Sequence, residues 1–496
     1  MQIQFEPQPY GSASADAVVA YVFGDKEARM QGPVAELDRA TGEKIRPLAE
    51  SGELTGKLLE MTLLHYPQGL AAKKLLLVGA GKPEKFTHAE LRKIAGAALR
   101  YLRARGVKSF TFVTGEREQT AGAAQAIAEG LLHGEYDSDK YQTDKKPKII
   151  ERVMLAGFAA NSRAEIESAM ERGRIVGESQ NFARDLINEP SNRLTPRMLA
   201  ARAEAMAKEA GLEVDILDEK RIAELKMGAL LGVAQGSEEP PRLIVLRYRP
   251  TQRKNGAPVL ALVGKAVTFD TGGISIKPAE NMEKMKYDMG GGATMLGVMR
   301  ALARLKPSIE VMAVVPATEN MPGGRAQKPG DVQTAMSGKT IEVINTDAEG
   351  RLILADAICY SKKLGATHLI DAATLTGAIT VALANVHVGA FGTPREFLDR
   401  VLESARTAGE KMWPMPMDDE YEEMIQSKIA DIRNTGSGRG GGAITAAWFL
   451  KEFAEDTPWV HLDIAGTAWQ DEAKPWAASG PTGVAIRTLI DFAMRQ

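Results

Sequence analysis

Leu75-Leu76-Leu77-Val78 and Phe110-Thr111-Phe112-Val113 are two short apolar runs with a helical stretch between them. That stretch extends from about Thr87 to Arg105 and puts Leu91, Ile94, Ala98 and Leu102 on one stripe. A second helical stretch covers Ala121–His133, and a third apolar run, Arg152–Leu155, follows. Strand, helix, strand in this order is the pattern of a parallel α/β layer. Ser162 and Glu165 have the spacing of a capping box at the start of a long helix that carries Ile166, Ala169, Ile175, Phe182 and Leu186 and ends near Asn188-Glu189-Pro190. Thr195-Pro196 opens another helix, with proline at the first helical position. Beyond it, strand runs recur at Val214–Leu217, Leu243–Arg247, Val259–Val263, Glu310–Val315, Thr340–Ile344, His368–Asp371 and Val460–Ile464. The length of 496 residues alone suggests three domains, at about 150 residues each. The alternation instead favours an α/β protein of two domains, a smaller one over residues 1–165 and a larger one over residues 166–496 with a central sheet flanked by helices.

The formal net charge is −2, so no whole-chain electrostatic case exists for nucleic acid or an anionic membrane. Cys359 is the one cysteine, which rules out an internal disulfide, a CxxC redox pair and a cysteine-rich zinc site. The six histidines are scattered and form no HExxH, so any catalytic metal would be held mainly by carboxylates. The stretch Met1-Gln2-Ile3-Gln4-Phe5-Glu6 lacks the basic segment and apolar run of a signal peptide. No uncharged apolar segment reaches the ~18 residues of a membrane-spanning helix. The expected compartment is the cytoplasm.

Some motifs mimic chemistry. Gly79-Ala80-Gly81-Lys82-Pro83-Glu84 begins like a dinucleotide fingerprint, but Glu84 replaces the third glycine and would oppose a pyrophosphate; it reads as a strand-to-helix turn. Gly338-Lys339-Thr340 resembles the end of a phosphate loop, yet a strand follows where a helix is needed. Gly290-Gly291-Gly292, before a helix, is read as glycine that lets backbone pass close to a packed neighbour.

Three segments stand apart. They are Val263-Gly264-Lys265-Ala266-Val267-Thr268-Phe269-Asp270-Thr271-Gly272-Gly273 continuing to Lys277, Met285-Lys286-Tyr287-Asp288, and Asn345-Thr346-Asp347-Ala348-Glu349-Gly350-Arg351-Leu352. Their charges are expected at or just past the carboxyl ends of apolar strands, where open α/β sheets put ligand sites. In extended chain, Asp347 and Glu349 would project to the same side. Asp270, Asp288, Asp347 and Glu349 gathered in one pocket would repel unless protonated or neutralised, and two divalent cations balance their four charges. On the residues alone, the alternative reading as solvated loop charges and caps stays open.

The octapeptide Asn345–Leu352, with Lys265, Asp270, Lys277 and Asp288 ahead of it in matching order, resembles the signature of the leucine aminopeptidase (cytosol aminopeptidase) family, the dinuclear-metal peptidases of family M17. Asn188-Glu189-Pro190-Ser191-Asn192, Asp371–Ala378 and His461–Gly466 support the resemblance, which covers about the last 330 residues. Ala266 departs from it, standing where the family usually has glycine.

The resemblance implies one metal held by Asp270, Asp347 and Glu349, and a second held by Lys265, Asp270, Asp288 and Glu349, so that Asp270 and Glu349 bridge. A ligating lysine must be neutral, which two adjacent dications and burial favour. Lys277 is implied to polarise the scissile carbonyl and stabilise the oxyanion, and Arg351 to hold a bicarbonate ion acting as general base. Met285, Asn345, Thr374, Leu375 and Gly377 fall at substrate-binding positions. The implied cofactors are two divalent cations per subunit, Mn²⁺ ahead of Zn²⁺ because carboxylate oxygens suit it. The implied activity is release of amino-terminal residues, leucine preferred, from peptides with a free amino terminus, in the processing and turnover of intracellular proteins. The implied assembly is a homohexamer.

Two rival readings are weighed. A DNA-binding protein on the same fold needs a contiguous basic face, and the run Lys145-Lys146-Pro147-Lys148 is short and flanked by acids, so nucleic acid and membrane are not expected partners. A dinuclear hydrolase of phosphate esters is disfavoured by the lysine and the octapeptide. Cys359 is read as a packing residue.

Overall fold

The computed structural model describes residues 1–6, 15–115, 118–145, 148–252, 254–438 and 440–496. Of the basic run, Lys146 and Pro147 lie outside the described residues, and Lys145 pairs with Asp139 at 2.8 Å. Two compact units are present, Met1–Asn181 with Glu472–Ser479, and Phe182–Asp471 with Gly480–Gln496.

The first unit is built on a sheet of β1 (Gln2–Phe5), β2 (Ala17–Phe23), β3 (Met61–His65), β4 (Lys74–Gly81), β5 (Ser109–Val113) and β6 (Arg152–Ala156). Their order is β1-β6-β5-β2-β4-β3, parallel throughout except for β3, which runs antiparallel to β4 at the edge. Successive strand residues point to opposite faces, and here both faces are covered. Val18, Ala20, Val22, Leu75 and Leu77 pack into one core, and Ala17, Val19, Tyr21, Leu76 and Val78 into the other. The continuous apolar runs follow from that double burial. Helix His88–Ala104 starts as expected, with Thr87 and Glu90 forming a reciprocal capping box. Ser162 does not cap: it ends a short 3-10 turn, and its hydroxyl donates back to the Ala159 carbonyl at 2.7 Å.

The second unit contains β7 (Glu213–Leu217), β8 (Arg242–Tyr248), β9 (Val259–Gly264), β10 (Ala266–Asp270), β11 (Glu310–Asn320), β12 (Val332–Thr334), β13 (Thr340–Glu342), β14 (His368–Ala373), β15 (Val388–Thr393), β16 (Met412–Pro414), β17 (Ile432–Arg433) and β18 (Trp459–Asp463). Its main sheet runs β16-β15-β18-β14-β9-β11-β8-β7, with β10 added on β11. The centre, β18-β14-β9-β11, is parallel, and β15 and β8 reverse on either side, so the sheet is mixed. The expected strand at Thr340–Ile344 lies instead in a separate three-stranded sheet with β12 and β17.

The long strand β11 positions the site. Glu310–Val314 pairs with β9, and Ala317–Asn320 pairs with β10, so one strand carries two successive partners. Pro316, with no N–H to give, falls between the two pairings. Opposite that gap the strand is interrupted at Lys265, between the end of β9 at Gly264 and the start of β10 at Ala266. Helix Gly290–Leu305 begins with the three glycines and packs onto this break. A Cβ on Gly291 would lie 2.0 Å from the Ala372 carbonyl oxygen, and the Gly292 N–H donates to the Lys265 carbonyl at 2.7 Å. The glycines thus form the first turn of the helix rather than a loop before it, and close approach is the reason at Gly291 and Gly292. Among the described residues, no helix is long and apolar enough to cross a membrane.

Candidate active site

Lys265 is buried at the β9–β10 break. Its Nζ lies 2.8 Å from Asp288 Oδ2 and 2.8 Å from Glu349 Oε1, and donates to the Thr374 carbonyl at 3.0 Å. Helix Gly350–Lys363 presses its first residue onto this side chain: a Cβ on Gly350 would meet Lys265 carbons 2.7 and 2.8 Å away. Asp270 ends β10, and its Oδ1 accepts from the Gly272 N–H at 2.9 Å and from Asn320 Nδ2 at 2.8 Å. Gly272 and Gly273 both take positive φ, 86° and 66°, which lets the chain double back so that Lys277 N–H reaches the Thr271 carbonyl. Lys277 Nζ then lies 2.8 Å from Asp270 Oδ2 and 2.5 Å from Asp347 Oδ1.

Two expectations about local chain are corrected. Asp288 does not follow a strand; it lies at the end of a 3-10 segment, Met282–Met289, that runs into helix Gly290–Leu305, and its Oδ1 accepts from Thr374 Oγ1 at 2.7 Å. Asp347-Ala348-Glu349 is not extended. Asn345 Oδ1 accepts from the Asp347 N–H at 2.8 Å, the Asn345 carbonyl accepts from the Ala348 N–H at 3.2 Å, and Glu349 takes helical angles as N-cap of Gly350–Lys363. A side-chain-closed turn, of the kind asparagine favours, aims both carboxylates at Asp270. Carboxylate oxygens of Asp270, Asp347 and Glu349 all lie within 4.8 Å of one another.

Four acids share two lysines, an excess of two negative charges when all are ionised. The acids register that excess. Burial, with Glu349 nearby, pushes Asp270 up to about 6 against the pull of Lys277 and Lys265. Burial pushes Asp288 well above, and Asp347 above, the usual carboxylate range. Burial would push Glu349 the same way, but Lys265 and Lys277 outweigh it and hold it low. Burial presses Lys265 towards neutrality, and here Asp288, Glu349 and Asp270 outweigh it and keep the ammonium charged. A buried set of oxygen donors with excess negative charge is the donor set that hard divalent cations take. The residues therefore fit a metal.

Around the acids stand the other residues singled out from the sequence. Arg351 is buried at the start of helix Gly350–Lys363; its Nη1 donates to the Asn434 carbonyl at 2.7 Å, and burial pulls it down to about 10. Thr374 is buried, Leu375 and Met285 are half-buried, and Asn345 and Gly377 are exposed.

Three buried residues that sequence reasoning missed hold this arrangement. Asn434 accepts on Oδ1 from the Ile344 and Asn345 N–H groups and donates from Nδ2 to the Asn345 and Ala348 carbonyls. Asp463 accepts from Leu375 N–H at 3.3 Å and Thr376 Oγ1 at 2.6 Å, fixing the loop after β14. Asn320 reaches Asp270, Thr346 and Glu349. A buried asparagine at a strand end has no periodicity to mark it.

Fold and site together define an α/β protein with an acidic metal-binding cluster at the broken centre of a mixed sheet. Residues 181–490 match the model of the cytosol aminopeptidase family, catalytic domain, and residues 18–145 that of the same family's N-terminal domain. The probable cytosol aminopeptidase of Solibacter usitatus (strain Ellin6076) is 55% identical over 495 residues, covering 100% of this chain and 99% of that relative. The probable cytosol aminopeptidase of Koribacter versatilis (strain Ellin345) is 51% identical, covering 99% of each. Among solved structures, a mutant of tomato leucine aminopeptidase superposes with TM-score 0.90 at 34% identity, over 100% of this chain and 97% of that one. A bottromycin maturation enzyme, BotP, in complex with Mn superposes with TM-score 0.85 at 31% identity, over 97% of this chain and 99% of that one. The chain belongs to the cytosol aminopeptidase family, peptidase family M17, and is a metal-dependent peptide hydrolase of that family.

Proposed function

We propose that this aminopeptidase uses two divalent cations, Mn²⁺ in preference to Zn²⁺, to release amino-terminal residues, leucine preferred, in the turnover of intracellular peptides. The observation that carries the reading is the convergence of Asp270, Asp347 and Glu349 within 4.8 Å, with Lys265 between Glu349 and Asp288 at 2.8 Å from each. One cation would be held by Asp270, Asp347 and Glu349, the other by Lys265, Asp270, Asp288 and Glu349. When bound, such a pair supplies Lewis acidity and makes a water acidic enough to act as nucleophile near neutral pH.

The chain's own residues do the rest. Lys277, partly exposed beside Asp270 and Asp347, stabilises the oxyanion that forms as the carbonyl is attacked. Arg351, a buried cation whose one hydrogen bond among the described residues goes to a neutral carbonyl, holds an anion, for which bicarbonate acting as general base is the choice. Met285, Asn345, Thr374, Leu375 and Gly377 would bind the substrate's first residue; Thr374 is buried, Met285 and Leu375 are half-buried, and Asn345 and Gly377 are exposed. A free amino terminus sets the register, because an internal peptide has no amine to offer. All of these residues belong to the domain 166–496. A homohexamer in the cytoplasm, without nucleic-acid or membrane partners, completes the proposal.

Leucine anilide and its N-acetylated form test it. Release from the free amine alone, abolished by chelation and restored by Mn²⁺, is expected; equal release from both would overturn the exopeptidase register.

A further inference from the structure

We propose that Asn320 is a positioning residue of the metal centre, whose carboxamide sets which oxygen of Asp270 and of Glu349 is presented to the cations. The proposal rests on the reading of these acids as metal ligands.

Asn320 is the last residue of β11 and lies opposite Asp270 in the β10–β11 register. It is buried, and its carbonyl accepts from both the N–H and the hydroxyl of Thr271, at 3.0 and 2.8 Å. Its backbone is thereby tied to the turn that follows Asp270. Its side-chain nitrogen faces three acceptors: Asp270 Oδ1 at 2.8 Å, the Thr346 carbonyl at 3.0 Å and Glu349 Oε2 at 3.4 Å. An amide nitrogen has two hydrogens, so the two short contacts take them and Glu349 Oε2 receives the weaker share. The opposite end of the carboxamide is set by space: a Cβ on Gly273 would come 2.8 Å from Asn320 Oδ1, so the oxygen packs against a residue that must be glycine. Three acceptors on one side and a close-packed glycine on the other leave the amide one orientation.

The consequence falls on the two acids. Asp270 Oδ1 and Glu349 Oε2 are turned to the neutral amide. Asp270 Oδ2 is left facing Lys277, and Glu349 Oε1 facing Lys265, each at 2.8 Å. The oxygens not engaged by Asn320 are thus the ones turned to positive charge. A lysine or arginine at position 320 would also satisfy the carboxylates, but it would cancel negative charge the centre needs. An amide orients without neutralising. Because it also grips the Thr346 carbonyl, it ties β10 to the octapeptide turn that supplies Asp347 and Glu349. Groups that hydrogen-bond to metal ligands in this way tune affinity through orientation.

The experiment is a Mn²⁺ titration by calorimetry of chelator-stripped protein, for wild type, Asn320→Ala and Asn320→Ser, with the unfolding midpoint of each stripped protein recorded alongside. Asn320→Ala is expected to weaken Mn²⁺ binding about 10- to 100-fold. Asn320→Ser, which keeps one donor, should fall between Ala and wild type even if the Ala variant is too unstable to purify. A merely structural role would lower the stripped-protein midpoint and leave the dissociation constant of the folded fraction unchanged. Wild-type affinity in a folded Ala or Ser variant would overturn the proposal while leaving the metal-centre reading intact. Failure of the wild-type protein itself to bind Mn²⁺ would overturn both.

Discussion

Arg351 donates from Nη1 to the Asn434 carbonyl at 2.7 Å, and its guanidinium forms no ion pair among the described residues. Burying a cation with no carboxylate in ion-pair contact costs several kcal/mol of desolvation, and the pull of Glu349 and Asp463 offsets that only in part, so its presence serves something other than stability. Arg351→Met keeps the bulk and removes the charge. The stripped protein should unfold at the same or a higher temperature, while kcat/KM on leucine anilide falls by about 100-fold, the scale of a lost acid–base contribution. A lower unfolding temperature with unchanged activity would contradict the assignment.

Glu349 touches Lys265 through Oε1 and Asn320 through Oε2, and it caps helix Gly350–Lys363 by backbone alone. Glu349→Gln therefore preserves shape and helix start and loses the charge. Turnover should drop by roughly 100-fold or more with far-ultraviolet circular dichroism unchanged. Undiminished turnover would reject the bridging role.

The first turn of helix Gly290–Leu305 has no room for a methyl group at Gly291, where a Cβ would meet Ala372 backbone at 2.0 Å. Gly291→Ala must push the helix off the β9–β10 break and Lys265 with it. A stability loss of about 3 kcal/mol, at the upper end of overpacking costs, is expected from the urea midpoint. A midpoint within error of wild type would show that this contact is not tight.

Asp356 lies on the same helix as Arg351, fully buried, and accepts from the Leu230 N–H at 2.8 Å and the Met336 N–H at 2.7 Å. Burial pushes its carboxyl up to about 7, against the pull of those N–H groups. The folded value exceeds the unfolded one of about 3.9, so the folded state binds more protons between them. This group's contribution to stability is full below about pH 4 and is lost as pH rises through about 7, by up to a few kcal/mol. Urea midpoints of wild type and Asp356→Asn from pH 5 to pH 8 check it. The wild-type midpoint should fall more steeply with pH than that of the variant, and parallel slopes would contradict the shift.

The strands and helices that carry continuous or striped apolar residues were legible in the sequence, because burial on both faces of a sheet leaves that pattern directly. β4, β5, β9 and β14 are such cases. β10 escaped because Ala266–Asp270 alternates weakly and owes its pairing to the far half of β11, which lies about fifty residues away. The acids and lysines of the site were legible as charges clustered among glycines, and their grouping into one family motif placed them in order. The turn at Asp347-Ala348-Glu349 was misread as extended because the asparagine that closes it, Asn345, carries its signal in a hydrogen bond and not in polarity. Asn320, Asn434 and Asp463 were illegible for the same reason: each is a polar residue whose use depends on neighbours brought from elsewhere in the chain.

The measurement that bears most directly on the metal centre is metal content by mass spectrometry, taken beside activity on leucine anilide before and after chelation and again after Mn²⁺ is restored. Two equivalents of Mn²⁺ per chain in the active protein, with activity lost and regained in step with them, is the predicted result. Full turnover in protein stripped below one equivalent per several chains would contradict it.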